Sequence, residues 1–154
     1  KQQLAIFGGS AGGITVGRAM TERPDLFAAV ISKVGMSNPL RAEFEPNGQP
    51  NVPEFGSIKD EAGYRALKAM DSYHAVRDGV NYPAVLLTTS SNDARVAPHN
   101  AAKLVARLQA ANPQGVALLR VDFDGGHDMN DLSKSVADSE NADDFAFVLS
   151  VTKG

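Results

Sequence analysis

Ser10 sits among four glycines in IFGGSAGG, residues 6–13, directly after an apolar run. A hydroxyl in that setting has three readings: a nucleophile on a strained turn, part of a phosphate-cradling loop, or filler in an ordinary tight turn. The phosphate readings fail on residue types. A P-loop places Gly-Lys-Ser/Thr after a glycine and four residues, but Ile14 follows Gly13 and no lysine is near. A dinucleotide turn needs glycines at its first, third and sixth positions, and counting from Gly8 or Gly9 the third is Ser10 or Ala11. What remains is Gly-x-Ser-x-Gly, met by Gly8, Ser10 and Gly12. Its spacing has a steric cause. A sharp strand-to-helix reversal strains the serine backbone, and side chains two residues to either side would collide. The reversal lifts the hydroxyl to a helix N-terminus, where free N–H groups favour developing negative charge. Taken alone, the pentapeptide fits a plain turn equally well.

A serine hydroxyl is a weak nucleophile until a base takes its proton, and the base needs a carboxylate to orient it. His127 lies in DGGHDM after the apolar run 117–123, and Asp93 lies in SSNDARVAP after the run 84–89. The other two histidines are weaker candidates. His74, in DSYHAV, follows no such run, and His99 stands just past Pro98, where a capping or surface role is the commoner one. Asp122 and Asp124 are too close to His127 in sequence to orient it, and Asp128 reads as a neighbouring surface charge. Arg95 reads by default as a surface cation or ion-pair partner.

These residues require a scaffold that brings distant positions to one rim. Four β-branched or aliphatic runs bounded by turn residues read as strands: Leu4 to Phe7, Ala28 to Val34, Ala84 to Thr89 and Ala117 to Phe123. All are apolar enough to be covered on both faces, as parallel strands are. Helical spacing lies between them. Asn100 to Ala111 aligns Ala101, Leu104, Val105 and Leu108 between Pro98 and Pro113. A second helix runs from about Ala11 to Arg23 and ends at Pro24, and a last one, near Asn141 to Val151, aligns Ala142, Phe145 and Leu149. The alternation predicts an α/β fold, a mainly parallel sheet with helices on both sides. The connection from Gly35 to Tyr82 is unusually long, carries one expected helix, Asp60 to Met70, and is of the length that is commonly functional. Serine, acid and histidine, in that order past three strand ends, follow the α/β-hydrolase arrangement.

Composition bounds the rest. A chain of 154 residues fits one domain, and 43% hydrophobic with 21% charged residues fits a soluble globular protein. A net charge of -3 gives no footprint for nucleic acid, and no apolar run approaches the roughly 20 residues that cross a bilayer, so neither nucleic acid nor membrane is an expected partner. With no cysteine, disulfides, thiolate chemistry and cysteine-based zinc sites are excluded.

The sequence resembles the catalytic domain of the prolyl oligopeptidase family of serine peptidases. The resemblance runs through GGSAGG, RPDLFAAVISKVG (residues 23–35), PEFG (53–56), YPAVLLTTSSNDARVAPHNAAKLVARLQ (82–109) and GGH (125–127). Its more specific elements are Asp93 to Val96 and Arg23 to Phe27. The resemblance implies Ser10 as nucleophile, His127 as general base and then acid, and Asp93 as the orienting carboxylate. It further implies that the Ala11 N–H serves the oxyanion site and that Arg95, with Val96 beside it, contacts substrate. Family members cleave short peptides through an acyl-enzyme, with no metal or organic cofactor. Two departures stand out. Proline-specific members stack a tryptophan on the substrate proline, and this chain has none; and Ala11 stands where many members have asparagine, which makes the pocket more apolar.

Family members also carry a β-propeller and further hydrolase strands before the nucleophile, so residues 1–154 resemble the C-terminal half of the catalytic domain, a partial α/β-hydrolase. Loss of the family's second oxyanion donor, a tyrosine hydroxyl, lowers turnover by roughly a hundred- to a thousand-fold. A carboxylesterase acting on small activated esters, or a catalytically weak fragment of a longer peptidase, is therefore the alternative. The first strand would also be left with an open edge. That edge leads us to expect a homodimer built about a two-fold axis, or continuation into a longer chain.

Overall fold

The computed structural model describes residues 3–127 and 134–152. Four strands, β1 (Ala5–Gly9), β2 (Ala29–Lys33), β3 (Ala84–Ser90) and β4 (Ala117–Asp122), form one sheet in the order β1-β2-β3-β4, every pair parallel. Each lies within two residues of its expected bounds, because short β-branched runs closed by glycine, proline or aspartate leave little freedom at their ends. The register sets Gly9 beside Lys33, Lys33 beside Thr88, and Thr89 beside Val121. The loops that follow the strands therefore leave along one rim.

Alternate strand residues face opposite layers. Val30, Val85 and Leu87 point to one side, where α1 (Gly12–Glu22) and α6 (His99–Ala111) bury Val16, Met20, Leu104, Val105 and Leu108 against them. Ala29, Ile31 and Leu86 point to the other side, towards Phe147 of α7 (Lys134–Thr152). Both layers exist as expected, but the outer strands are not covered on both faces. Phe7 of β1 is 61% exposed, and Leu118 and Leu119 of β4 are exposed as well. They are edge strands with one neighbour each among the described residues.

The stripe expected for the last helix is also wrong. Phe145 and Leu149 face solvent, at 70% and 51% exposure, while Glu140, Asp144 and Phe147 are the residues α7 buries. The inward face mixes two carboxylates with Phe147, Val148 and Val151, so a hydropathy pattern points away from part of it.

The connection 35–82 is more ordered than one helix. It holds α2 (Pro39–Ala42), α3 (Val52–Phe55), α4 (Glu61–Met70) and α5 (Ser72–Ala75). Proline opens α2 and sits in the first turn of α3, while Asp60 and Asp71 cap α4 and α5 by accepting from the N–H groups of Gly63 and His74. A buried polar network ties it to the body. Asn38 Nδ2 donates to Asp71 Oδ2 at 2.6 Å, and Asn100 Oδ1 accepts from the Ser37 and Asn38 N–H groups at 3.2 and 3.0 Å.

Candidate active site

Ser10 occupies the turn between β1 and α1 with φ at +52°, a left-handed conformation that costs a serine roughly 1–3 kcal/mol. Its surroundings hold it there. Its N–H donates to the Lys33 carbonyl at 3.0 Å, and its own carbonyl accepts from the Gly13 and Met36 N–H groups, each at 3.0 Å. Gly8 is needed, since a Cβ there would lie 2.6 Å from the Gly12 carbonyl oxygen and 2.9 Å from Val16 Cγ1. Gly12 is not: a Cβ there meets nothing within 4 Å. The crowded position on the helix side is Gly13, whose Cβ would stand 2.6 Å from Gly35 Cα. The steric expectation thus holds on the strand side and moves by one residue on the helix side, where α1 packs against the 35–36 backbone.

His127 and Asp93 come to the same rim. His127 Nε2 lies 2.9 Å from Ser10 Oγ, and Nδ1 lies 2.8 Å from Asp93 Oδ2. Asp93 Oδ1 accepts from the N–H groups of Arg95 and Val96, each at 2.8 Å, so both carboxylate oxygens are engaged and its side chain is wholly buried. An ionised carboxylate can only accept. Nδ1 must then donate to it, which in the neutral imidazole leaves Nε2 as an acceptor facing the serine hydroxyl. The loop before His127 is tied to the end of β3. Ser91 N–H donates to the Asp122 carbonyl at 2.8 Å, Ser91 Oγ and Asn92 Nδ2 donate to the Phe123 carbonyl, and Ser90 Oγ donates to the Gly125 carbonyl.

The remaining candidates fall where their chemistry allows. Ala11 stands at the start of α1 and, with Ser10, Arg95 and Val96, lines a cavity of about 130 Å³ whose other walls include Met36 and Phe55. Arg95 also borders an open hollow of about 360 Å³ shared with Ser10, Val34 and His127. His74 Nδ1 is 2.9 Å from Asp71 and His99 Nε2 is 3.1 Å from Glu45, so each is paired with a different carboxylate. Asp122 Oδ1 accepts from the Asp124 N–H at 3.0 Å and takes no part in holding the imidazole. Asp128 lies outside the described residues.

Two residues at this rim escaped sequence reasoning. Val34 has φ at +43°, strained for a β-branched residue, and walls the open hollow. Lys33, just before it, is buried. In sequence both read as the end of an apolar strand, and only their contacts distinguish them.

A parallel sheet flanked by helices, with a serine on the strand-to-helix turn and its partners past two later strands, is the build of an α/β-hydrolase. The comparisons narrow this: the Prolyl oligopeptidase family matches residues 1–154, and the chain belongs to it. It is 32% identical over 151 residues to the prolyl endopeptidase of Elizabethkingia meningoseptica, covering 97% of this chain and 21% of that protein. It is 34% identical over 152 residues to the prolyl endopeptidase of Dictyostelium discoideum, covering 96% of this chain and 20% of that one. A solved structure from a study of two prolyl endopeptidases superposes with a TM-score of 0.90 at 37% identity, over 97% of this chain and 22% of that chain. Prolyl oligopeptidase B of Galerina marginata, bound to a 35mer substrate, superposes at 0.85 with 26% identity, over 97% and 21%. The chain spans about a fifth of the length of the curated relatives it matches.

Proposed function

We propose that this chain carries the catalytic residues of a serine peptidase acting on short peptides, with Ser10 as nucleophile, His127 as proton carrier and Asp93 as its orienting acid. The observation that carries the reading is the continuous relay from Asp93 Oδ2 through the imidazole to Ser10 Oγ, with contacts of 2.8 and 2.9 Å. Ser10 Oγ attacks the scissile carbonyl carbon while its proton passes to Nε2. The imidazolium so formed is stabilised by Asp93, and the new oxyanion develops beside the Ala11 N–H at the positive end of α1. Collapse breaks the C–N bond, the amine leaves with the proton from Nε2, and water repeats the sequence to release the acid. Met36, Phe55 and Val96 offer apolar walls for the side chain before the cleaved bond, and Arg95 a donor for a neighbouring carbonyl.

Covalent labelling by a fluorophosphonate tests this directly. The chain should be labelled, Ser10→Ala and His127→Ala should abolish the signal, and His74→Ala and His99→Ala should leave it intact. Asp93→Asn should lower turnover by up to about 10⁴-fold through the wrong imidazole tautomer. Labelling that survives Ser10→Ala would end the proposal. The ratio of activities on p-nitrophenyl acetate and on a proline p-nitroanilide separates peptidase from esterase action. The open β1 edge, with Leu4 and Phe7 exposed, is proposed to pair with a second copy or with further chain. Sedimentation as a monomer at high concentration would remove the first option.

A further inference from the structure

Behind the rim lies a charge cluster that the relay does not use. Lys33 Nζ, with a side chain only 3% exposed, lies 2.5 Å from Asp144 Oδ2 and 3.9 Å from Glu140 Oε2. Glu140 Oε1 also accepts from Arg120 at 2.6 Å, and Arg120 Nε reaches Asp143 at 3.1 Å. The cluster thus clamps α7 to β2 through Lys33 and to β4 through Arg120.

As a stabilising device this arrangement is poor. Desolvating buried charges offsets most of their attraction, and Asp144 Oδ1 is buried with no hydrogen-bond partner among the described residues. Its location gives it a different use. The Lys33 carbonyl accepts the Ser10 N–H, the next residue is the strained Val34, and Lys33 borders the same open hollow as Ser10 and His127. Lys33 and Glu140 also line a small hollow of about 20 Å³ with Gly126, the residue before the imidazole. One residue therefore touches the nucleophile turn through its backbone and the α7 layer beneath the imidazole loop through its side chain.

We propose that the Lys33–Asp144–Glu140–Arg120 network is a positioning device that keeps the Ser10 turn and the His127 loop in register. Lys33 is a positioning residue acting through its carbonyl and through α7, its ammonium committed to Asp144. This rests on the catalytic reading above, and the two fail separately: absence of labelling in the unaltered protein overturns that reading, whereas the present inference is read only from variants of a protein that labels.

The test uses the full natural chain, p-nitrophenyl acetate as substrate, and fluorophosphonate titration to count reactive serines. Lys33→Met should lower kcat per titrated site about 10- to 100-fold, the scale of a misplacement near 1 Å, with KM within about twofold. Glu140→Gln should give a smaller loss of the same kind, and it decides the matter if Lys33→Met does not fold. Leu108→Val in α6, on the far side of the sheet, supplies the control, since it should lower the melting temperature while leaving kcat per site unchanged. A purely structural cluster would reduce the number of titratable serines and not the rate of each. Unchanged kcat per site in the folded variants, or losses equal to those of Leu108→Val, would overturn the proposal.

Discussion

The two faces of the sheet are held by different physics. On the α1 and α6 side, Val16, Met20, Val30, Val85, Leu104 and Leu108 form a continuous apolar cluster. On the α7 side the buried apolar part shrinks to Ala29, Ile31, Leu86 and Phe147, with Ala5, Ala84, Val148 and Val151 half-buried against it, and charges of both signs share the contact. Apolar packing is nondirectional and tolerates small shifts of a helix. Ion pairs with hydrogen-bond geometry fix an angle and a register. The directional face is the one under the imidazole loop, and the nondirectional face is the one that carries the bulk of burial.

The largest effect that would break this contrast comes from Lys33→Met, which strands the buried Asp144 carboxylate, Glu140 keeping Arg120, and should cost about 3–5 kcal/mol in urea unfolding. Adding Asp144→Leu should return most of that loss, because an apolar pair of similar volume avoids the desolvation; no recovery would mean that the charges hold α7 directly. Next comes Leu104→Ala, a fully buried truncation on the apolar face, expected to cost about 2–5 kcal/mol with no dependence on salt.

The smallest effect sharpens the comparison with an ion pair whose cation is in water. Glu43 is hydrogen-bonded by Lys59 Nζ, by Ser57 Oγ and by the Ile58 N–H, and these contacts, Lys59 first, lower its pKa from 4.5 to about 2. A depressed carboxyl pKa means that the folded state holds the proton less tightly than the unfolded chain. Its stabilising contribution is therefore complete above pH 4.5 and disappears as pH falls through about 2. Glu43→Gln should flatten that stretch of a stability-against-pH curve. Salt should weaken the Glu43 contribution, since Lys59 is 70% exposed, and leave that of Lys33 nearly unchanged.

The same contrast explains what the sequence makes legible. The strands, α1, α4 and α6 follow from apolar periodicity and from Pro24, Asp60, Pro98 and Asn112 as punctuation, because these elements pack by the rule that periodicity encodes. The expected site residues Ser10, Asp93 and His127 stand out for a related reason, each lying just past a strand of a parallel sheet. The α7 face misleads because Glu140 and Asp144 carry the buried side and Phe145 and Leu149 the open one. Lys33 and Val34 are invisible for want of any one-dimensional mark of a buried cation or of a positive φ. The walls contributed by Met36 and Phe55 come from a connection whose path is set by Asn38, Asp71 and Asn100, a polar network without a period.

The left-handed backbone at Ser10 sets side chain against main chain. Glycine accepts that geometry without penalty, so the residue best suited to the bend is one that cannot react. A change of Ser10 to glycine would therefore relax the bend at the expense of the only hydroxyl within reach of His127 Nε2 among the described contacts.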